Sequence, residues 1–115
     1  MIVDDDRLSL KMLEKILSGA GYAVIQTTHG KDAIVMAKEE QPDLAILDIA
    51  MPDMDGIHVA IVLKNDPQTK NIPIIFLSSL VGKEIRKEKS ALPGSSFLKK
   101  PPQKDDLLRE IREHL

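Results

Sequence analysis

Residues 44–48 read LAILD, a short apolar run that stops at the carboxylate of Asp48. The chain opens in the same way, since MIV (1–3) leads directly into Asp4 and Asp5. Continuous apolar runs are typical of parallel strands that are buried on both faces. Open parallel sheets bind their ligands beyond the carboxyl ends of their strands. Neighbouring strands of this kind would bring the three carboxylates together, and such a cluster repels itself unless a proton or a cation intervenes. The two runs therefore predict a metal-dependent acidic site.

The rest of the chain alternates between strand-like and helix-like stretches. Apolar runs begin near Met1, Tyr22, Leu44, Ile72 and Ser96, at intervals typical of βα units. The second run is expected to end in turn residues, Gln26, Thr27 and Thr28. Apolar residues at helical spacing mark the stretches 10–20, 33–37, 57–63, 81–91 and 107–115. This alternation predicts a three-layer (βα)5 α/β domain with a doubly wound parallel sheet and right-handed crossovers.

Composition narrows the class of protein. A chain of 115 residues is enough for one domain with one core, so residues 1–115 are predicted to form a single domain. The net charge of -2 gives no basic field for nucleic acid, and the lack of cysteine excludes disulfides and a thiol nucleophile. No apolar stretch suggests a membrane span or a signal peptide, so a cytoplasmic location is expected. The first strand is short, and we expect the native N-terminus to begin earlier.

Two further predicted strands also end in side chains of chemical use. The fourth strand leads into Ser78 and Ser79, and the fifth leads into Lys99 and Lys100. Because the carboxyl ends of parallel strands share one edge of the sheet, hydroxyls and an ammonium group should face the acids.

These residue types suit phosphoryl chemistry. Carboxylates with water and phosphate oxygens make a typical Mg²⁺ site, and a lysine and a hydroxyl opposite the metal would neutralise and hydrogen-bond a phosphoryl group. With no cysteine and no histidine evident in the constellation, the best nucleophile is a carboxylate. Asp48 is the preferred candidate, because it stands alone at the centre of the predicted site and aspartate can attack phosphorus.

Four motifs together resemble the receiver domain of two-component response regulators, along essentially the whole chain. One acidic pair or one Lys-Pro would be a weak signal, but all four in order, at strand ends and with similar spacing, are specific. The matching pieces are VDDD (3–6), LDIAMPDMDG (47–56), PIIFLSS (73–79) and FLKKP (97–101).

The resemblance implies a role for each acid. Asp48 would accept a phosphoryl group from a histidine kinase or a histidine phosphotransfer protein. Asp4 and Asp5 would hold Mg²⁺, together with Asp48 and the backbone carbonyl of Ala50. In this family the domain catalyses only its own phosphorylation and dephosphorylation. The protein is therefore expected to be a phosphoacceptor switch and not a true enzyme.

The resemblance also implies the remaining site residues and the strand order. Ser78 would be the switch hydroxyl, Phe97 the aromatic switch residue, and Lys100 the phosphate-contacting lysine. The peptide bond between Lys100 and Pro101 would be cis. The strand order would be 2-1-3-4-5, as in flavodoxin-like folds.

The expected readout surface comprises the fourth helix, the fifth strand and the fifth helix, around residues 83–91 and 104–114. A downstream output domain or effector protein would read this surface, and a homodimer through it is a further expectation. No direct contact of this domain with nucleic acid or membrane is expected.

Several polar residues have simpler interpretations. Asp6 is predicted to cap the first helix. Asp53 and Asp55 are predicted to shape a turn and cap the third helix, with Gly56 allowing a positive φ.

Other charged residues are predicted to be solvated. Lys99 and the basic run at Lys83, Arg86, Lys87 and Lys89 should face water. The three histidines, His29, His58 and His114, show no ligand spacing and are predicted at the surface.

Some positions depart from the family pattern. Ala50 and Leu80 are apolar where polar side chains can position a hydrolytic water, which predicts slow self-dephosphorylation. Ser95 and Ser96 stand where many winged-helix DNA-binding regulators carry acids that pair across a dimer. That weakens membership of that subfamily without excluding it.

Two alternatives stay open at this point. A Mg²⁺-dependent phosphatase of the haloacid dehalogenase type also uses a strand-end aspartate, but it carries a second acid two residues later, where this chain has Ala50. A degenerate receiver could bind partners without phosphorylation, although the retained acids, Ser78 and Lys100 argue against it.

Overall fold

The structure, a computed structural model, describes residues 1–79 and 95–115. Strands and helices alternate through residue 79, as the sequence predicts, and one strand and one helix follow within residues 95–115. The strands are β1 (Ile2–Val3), β2 (Gln26–Thr27), β3 (Ala45–Asp48), β4 (Ile74–Ser78) and β5 (Ser96–Lys99). The helices are α1 (Arg7–Gly19), α2 (Gly30–Glu40), α3 (Gly56–Lys64) and α4 (Lys104–His114), the last being the predicted fifth helix.

The five strands form one parallel sheet in the order β2-β1-β3-β4-β5, which confirms the predicted order. The register places Val3 beside Leu47 and Asp48 beside Leu77. Since β1 and β3 are neighbours, the acids that follow them lie at the same edge of the sheet.

Both faces of the sheet are covered by helices, which confirms the three-layer arrangement. One core cluster joins Leu47 and Phe76 to buried residues of α2 and α3, including Ala33 and Val59. The other cluster lies on the opposite face of the sheet, where strand residues pack against α1 and α4. Its buried members include Ile46, Leu77, Leu13 and Leu107. Successive side chains of a strand alternate between faces, so burial of both faces explains the unbroken apolar runs.

Residues next to the helix ends explain where α1 begins and where α2 and α3 end. Asp6 caps α1, because its side chain accepts a hydrogen bond from the Leu8 N–H at 3.0 Å, as predicted. α2 ends at Glu40, and the next residue, Gln41, has a φ of +48° just before Pro42. α3 ends at Lys64, as the Asn-Asp-Pro sequence after it predicts.

The position of β2 differs from the prediction. Gln26 and Thr27, expected to be turn residues, are the two residues that pair with β1. Backbone hydrogen bonds set this register, because the Ile2 N–H donates to the Ile25 carbonyl oxygen and the Asp4 N–H donates to that of Thr27. The predicted fourth helix (81–91), its basic run and Leu80 lie outside the described residues. So does the part of the predicted readout surface at residues 83–91, whereas its remaining part, in β5 and α4, is described.

None of the helices within residues 1–79 and 95–115 is long and apolar enough to cross a membrane.

Candidate functional site

Three carboxylates converge at the carboxyl edge of β1 and β3. Asp48 is the last residue of β3 and is 4% exposed, while Asp4 directly follows β1 and is 1% exposed. Asp5 is exposed to solvent. Each residue offers one oxygen, and these three oxygens lie within 4.8 Å of one another. The structure therefore brings together the acids that the sequence placed at one edge.

Lys100 directly follows β5, two strands away from β3 in the sheet, and its side chain reaches this cluster. Its Nζ lies 2.8 Å from Asp4 Oδ2 and 3.3 Å from Asp48 Oδ2. The Lys100 backbone N–H donates to the Ser78 carbonyl oxygen at 2.8 Å, which anchors the residue at the end of β4. The Lys100–Pro101 peptide bond is cis, as the resemblance implied. One ammonium group thus bridges two buried carboxylates.

The pKa values follow from this crowding. Burial, and then the negative charge of Asp4, raise the pKa of Asp48 to about 6, although Lys100 acts in the opposite direction. Burial acts to lower the pKa of Lys100, but the two carboxylates outweigh it and raise that pKa. Asp48 is therefore mostly ionised at neutral pH, at an electrostatic cost that a cation would relieve.

The donor set fits a Mg²⁺ ion. Asp4 Oδ1 already accepts a hydrogen bond from the Asp6 N–H at 2.9 Å. Asp4 Oδ2 is buried and accepts no hydrogen bond within the described part of the chain, so its close neighbour there is the Lys100 ammonium group. A buried carboxylate oxygen that faces a cationic group, next to two further carboxylates, suits a hard cation that prefers oxygen ligands. Asp4, Asp5 and Asp48 could hold it.

The other predicted site residues also lie at or near this edge. Ser78 is the last residue of β4 and is buried, whereas Ala50 is exposed in the segment between β3 and α3. Phe97 of β5 is half-buried, and its ring stacks on Phe76 with centroids 4.8 Å apart. Lys99 is exposed, in agreement with its predicted solvation.

Of the two acids that were predicted to cap α3, the structure confirms Asp55 and corrects Asp53. Asp55 caps α3 as predicted, since it accepts the His58 N–H at 2.8 Å. Asp53 does not cap α3. Its carboxylate accepts the N–H groups of Gly30 and Lys31, in the first turn of α2.

The reason for Gly56 is also different from the predicted one. Within the described residues, Gly21 is the glycine with a positive φ, and Gly56 is not. A Cβ at Gly56 would overlap the carbonyl oxygen of Asp48 and lie 2.9 Å from its carbonyl carbon. Gly56 is therefore needed for close approach of α3 to the backbone of Asp48.

His114 departs from its predicted surface position. It is half-buried, and its Nε2 lies 2.8 Å from Ser96 Oγ, which donates a hydrogen bond to Glu110 at 2.9 Å. The spacing of Glu110 and His114 on one helix face indicates that they are neighbours, but only the packing of α4 on β5 shows their partner.

Comparison with known proteins identifies the family. The response regulator receiver domain family matches residues 1–112. The chain belongs to this family. Response regulator PleD of Caulobacter vibrioides is 35% identical over 112 residues, which cover 97% of this chain and 25% of PleD. The polar-differentiation response regulator DivK of Brucella anthropi is 29% identical over 115 residues, which cover all of this chain and 94% of DivK.

Solved structures agree with this assignment. A putative response regulator from Chloroflexus aurantiacus superposes with a TM-score of 0.91 at 29% identity, covering 98% of this chain and 93% of that one. The chemotaxis protein CheY4 of Vibrio cholerae gives 0.91 at 29% identity, covering 99% and 95%. The flavodoxin-like receiver fold is thereby confirmed.

The family determines the general function. Receiver domains of response regulators are phosphorylation-dependent signalling switches in two-component systems, and they are not classical enzymes. They act between histidine kinases and output domains. The chain spans only about a quarter of the length of PleD but nearly all of DivK.

Proposed function

We propose that Asp48 is the phosphoacceptor of this receiver domain and that Mg²⁺ assists the transfer. The observation that carries the proposal is the convergence of Asp48 with Asp4, Asp5 and Lys100 at the carboxyl edge of the sheet. Asp48 lies at the end of β3, in contact with Lys100 and within 4.8 Å of the other two carboxylates.

The transfer needs positioning and charge neutralisation more than acid or base catalysis. One carboxylate oxygen of Asp48 bonds to phosphorus while the bond from phosphorus to the imidazole nitrogen of the donor histidine breaks, and that nitrogen leaves with the electron pair. A donor histidine kinase or phosphotransfer protein would supply the phosphoryl group. The pKa of about 6 leaves Asp48 mostly ionised, and thus nucleophilic, at neutral pH.

The surrounding residues would neutralise the charge of the transferred group. Mg²⁺ would be held by Asp4, Asp5, Asp48 and the Ala50 carbonyl, and it would supply positive charge next to the phosphoryl oxygens. Lys100, already 3.3 Å from Asp48, would move its ammonium group to a phosphoryl oxygen. Ser78, at the end of β4, would donate a hydrogen bond from its hydroxyl group to another phosphoryl oxygen.

The phosphoryl group would then shift the surface of the domain. An aspartyl phosphate carries nearly two negative charges, enough to draw Ser78 and Lys100 inward. Phe97, which stacks on Phe76 behind the site, would fill the vacated space. The readout surface would include β5 and α4, where an output domain, an effector or a second copy of the chain would bind.

Intact mass after incubation with acetyl phosphate and Mg²⁺ tests the phosphoacceptor. We expect one phosphoryl increment in the wild type, none in Asp48→Asn and none with EDTA. Asp5→Asn should reduce the increment without changing its site. An increment retained in Asp48→Asn would assign another phosphoacceptor. No increment from any donor would favour a phosphorylation-independent receiver, and sustained turnover of phosphomonoesters would favour a phosphatase.

The phosphoryl group is expected to be long-lived. Ala50 is exposed beside the site but has no side-chain group that could hold a hydrolytic water, and Leu80 has none either. Decay of the phosphorylated protein, followed by intact mass after removal of the donor, should take minutes or longer. A half-life of seconds would contradict this expectation. Ala50→Asn is expected to accelerate the decay, because an amide can position water.

A further inference from the structure

The N-terminus of α2 has no cap of its own. The N-cap residue, His29, has extended backbone angles, but its side chain makes no capping hydrogen bond. The first N–H groups of a helix lack partners within the helix, and they require a side chain, water or another acceptor. In α2 that acceptor comes from elsewhere in the chain.

Asp53 supplies it from the β3–α3 loop (residues 49–55). Asp53 Oδ1 accepts the Gly30 N–H at 3.3 Å, and Oδ2 accepts the Lys31 N–H at 3.4 Å. Partial desolvation opposes ionisation, but these N–H groups and those of Asp53 and Met54 outweigh it and lower the pKa of Asp53. The positive end of the α2 dipole favours the same charge. The carboxylate thus spans 22 to 23 residues to hold both first-turn N–H groups.

The same loop begins directly after Asp48 and contains Ala50. Its base is closed by a hydrogen bond from the Gly56 N–H to the Ile49 carbonyl oxygen at 2.9 Å. Met51 is buried in the core and anchors the middle of the loop. The bond from Asp53 to α2 is a further attachment of the loop, and it depends on one exposed side chain.

α2 is fitted closely against this loop. A Cβ at Gly30 would lie 2.9 Å from the Met54 carbonyl oxygen and 3.0 Å from a Val59 methyl group. Gly30 therefore brings the first turn of α2 near enough for its N–H groups to reach Asp53. A larger residue at position 30 would push the helix and the loop apart.

We propose that Asp53 is a positioning residue: it fixes the β3–α3 loop to the first turn of α2 and thereby holds the Ala50 carbonyl in place for Mg²⁺. The inference rests on the proposed function, which gives that carbonyl its role. Groups that orient metal ligands without touching the metal commonly change metal affinity by an order of magnitude or more. Because Asp53 acts through two intervening residues, Met51 and Pro52, we expect a smaller effect.

The test measures the Mg²⁺ dissociation constant separately from stability. Amide NMR shifts during a Mg²⁺ titration should show that Asp53→Ala weakens binding by about three- to tenfold. Asp53→Asn keeps an acceptor oxygen and should lie between the wild type and Asp53→Ala. Gly30→Ala should weaken binding in the same direction by displacing the loop. The initial rate with acetyl phosphate should fall at low Mg²⁺ but stay within about twofold of wild type at saturating Mg²⁺.

Asp66→Ala is the matched control. Asp66 also attaches a loop to α2, through an ion pair of 3.1 Å with Lys38, but towards the opposite end of the helix. This variant should lose some stability and bind Mg²⁺ as the wild type does. Coupling must also be reciprocal, so Mg²⁺ should slow hydrogen exchange of the Gly30 and Lys31 amides in the wild type and not in Asp53→Ala.

The possible results distinguish the positioning role of Asp53 from the phosphoacceptor function of Asp48. An unchanged Mg²⁺ affinity in both Asp53→Ala and Gly30→Ala, with a phosphorylated wild type, would overturn the positioning role and leave the phosphoacceptor intact. Equal weakening in Asp66→Ala would also overturn it, because the effect would then be general destabilisation. A wild type that binds no Mg²⁺ and takes no phosphoryl group would overturn the proposed function and this inference together.

Discussion

At the scale of single residues, Lys100 holds the electrostatic balance of the site. Its ammonium group contacts Asp4 Oδ2 at 2.8 Å and Asp48 Oδ2 at 3.3 Å, and both carboxylates are buried. Removing one partner of a buried ionic group is costly because it leaves the other charges uncompensated. The same ammonium group occupies space next to the oxygens that a divalent cation would use.

We therefore expect Lys100→Ala to have opposite effects on stability and on Mg²⁺ affinity. Without Mg²⁺ at pH 7.5, the free energy of unfolding should fall by about 1–3 kcal/mol, since Lys100 is partly exposed and a fully buried pair would cost more. The Mg²⁺ dissociation constant should fall several-fold, because the cation no longer competes with an ammonium group. Urea unfolding with and without Mg²⁺ measures both quantities.

Lys99→Ala is the control for this prediction. Lys99 is the adjacent lysine but is exposed. Its removal should change both the stability and the Mg²⁺ affinity little. Weaker Mg²⁺ binding in Lys100→Ala would contradict the proposed competition.

At the scale of elements, the first turn of α3 is packed against the backbone that carries Asp48. Gly56 begins α3, and its N–H closes the β3–α3 loop on the Ile49 carbonyl oxygen. The absence of a side chain lets the helix approach the Asp48 carbonyl group. Asp55 then caps the helix, and Asp53 links the same loop to α2. Two helices are thus attached to the segment that follows one strand.

Gly56→Ala should destabilise the protein, because its methyl group would overlap the Asp48 carbonyl oxygen and force backbone to move. Overpacking of this kind costs roughly 1–3 kcal/mol, and displacement of Asp48 should also reduce phosphorylation. Gly19→Ala is the matched control, since a Cβ at that last residue of α1 meets nothing within 4 Å. It should be neutral or stabilise by about 0.5–1 kcal/mol. Thermal melting of the two variants decides; equal stabilities would contradict the close-approach argument.

At the scale of the whole molecule, the site lowers the stability of the fold. Asp48 is buried beside another carboxylate, and its pKa in the folded protein is about 6 against an ordinary value of 3.8. A carboxyl group with a raised pKa favours folding below its ordinary pKa, and this contribution is lost as the pH rises through the folded value. The Mg²⁺-free protein should therefore lose stability between about pH 4 and pH 6 on account of Asp48.

Asp48→Asn tests this expectation. The variant should be more stable than the wild type at pH 7.5 without Mg²⁺, and its advantage should shrink by up to about 3 kcal/mol as the pH falls from 7.5 to 4. The difference between the two proteins cancels the titration of groups that lie away from Asp48. Urea unfolding at a series of pH values measures it. A difference independent of pH would contradict the raised pKa of Asp48.

Local patterns in the sequence were sufficient for the architecture and for the set of side chains that lie at one edge of the sheet. Apolar runs and helical spacing depend on which residues are buried, so they predicted the alternation and both helical layers. Abrupt endings at Asp4, Asp48 and Ser78 predicted the side chains at one edge, because parallel strands must share that edge. The Asp6 and Asp55 caps were also predictable, because each side chain accepts a hydrogen bond from an N–H group within three residues along the chain.

Only the tertiary structure decided the contacts between distant segments. Asp53 was assigned to the nearer helix, because nothing in its neighbourhood indicates that the first turn of α2 lies beside it. Gly56 was attributed to backbone conformation, whereas its cause is the carbonyl group of a residue eight positions earlier. The extent of β2 and the partner of His114 likewise depend on how neighbouring elements pack. The sequence determines which groups each segment presents, and the packing of layers determines which of those groups meet.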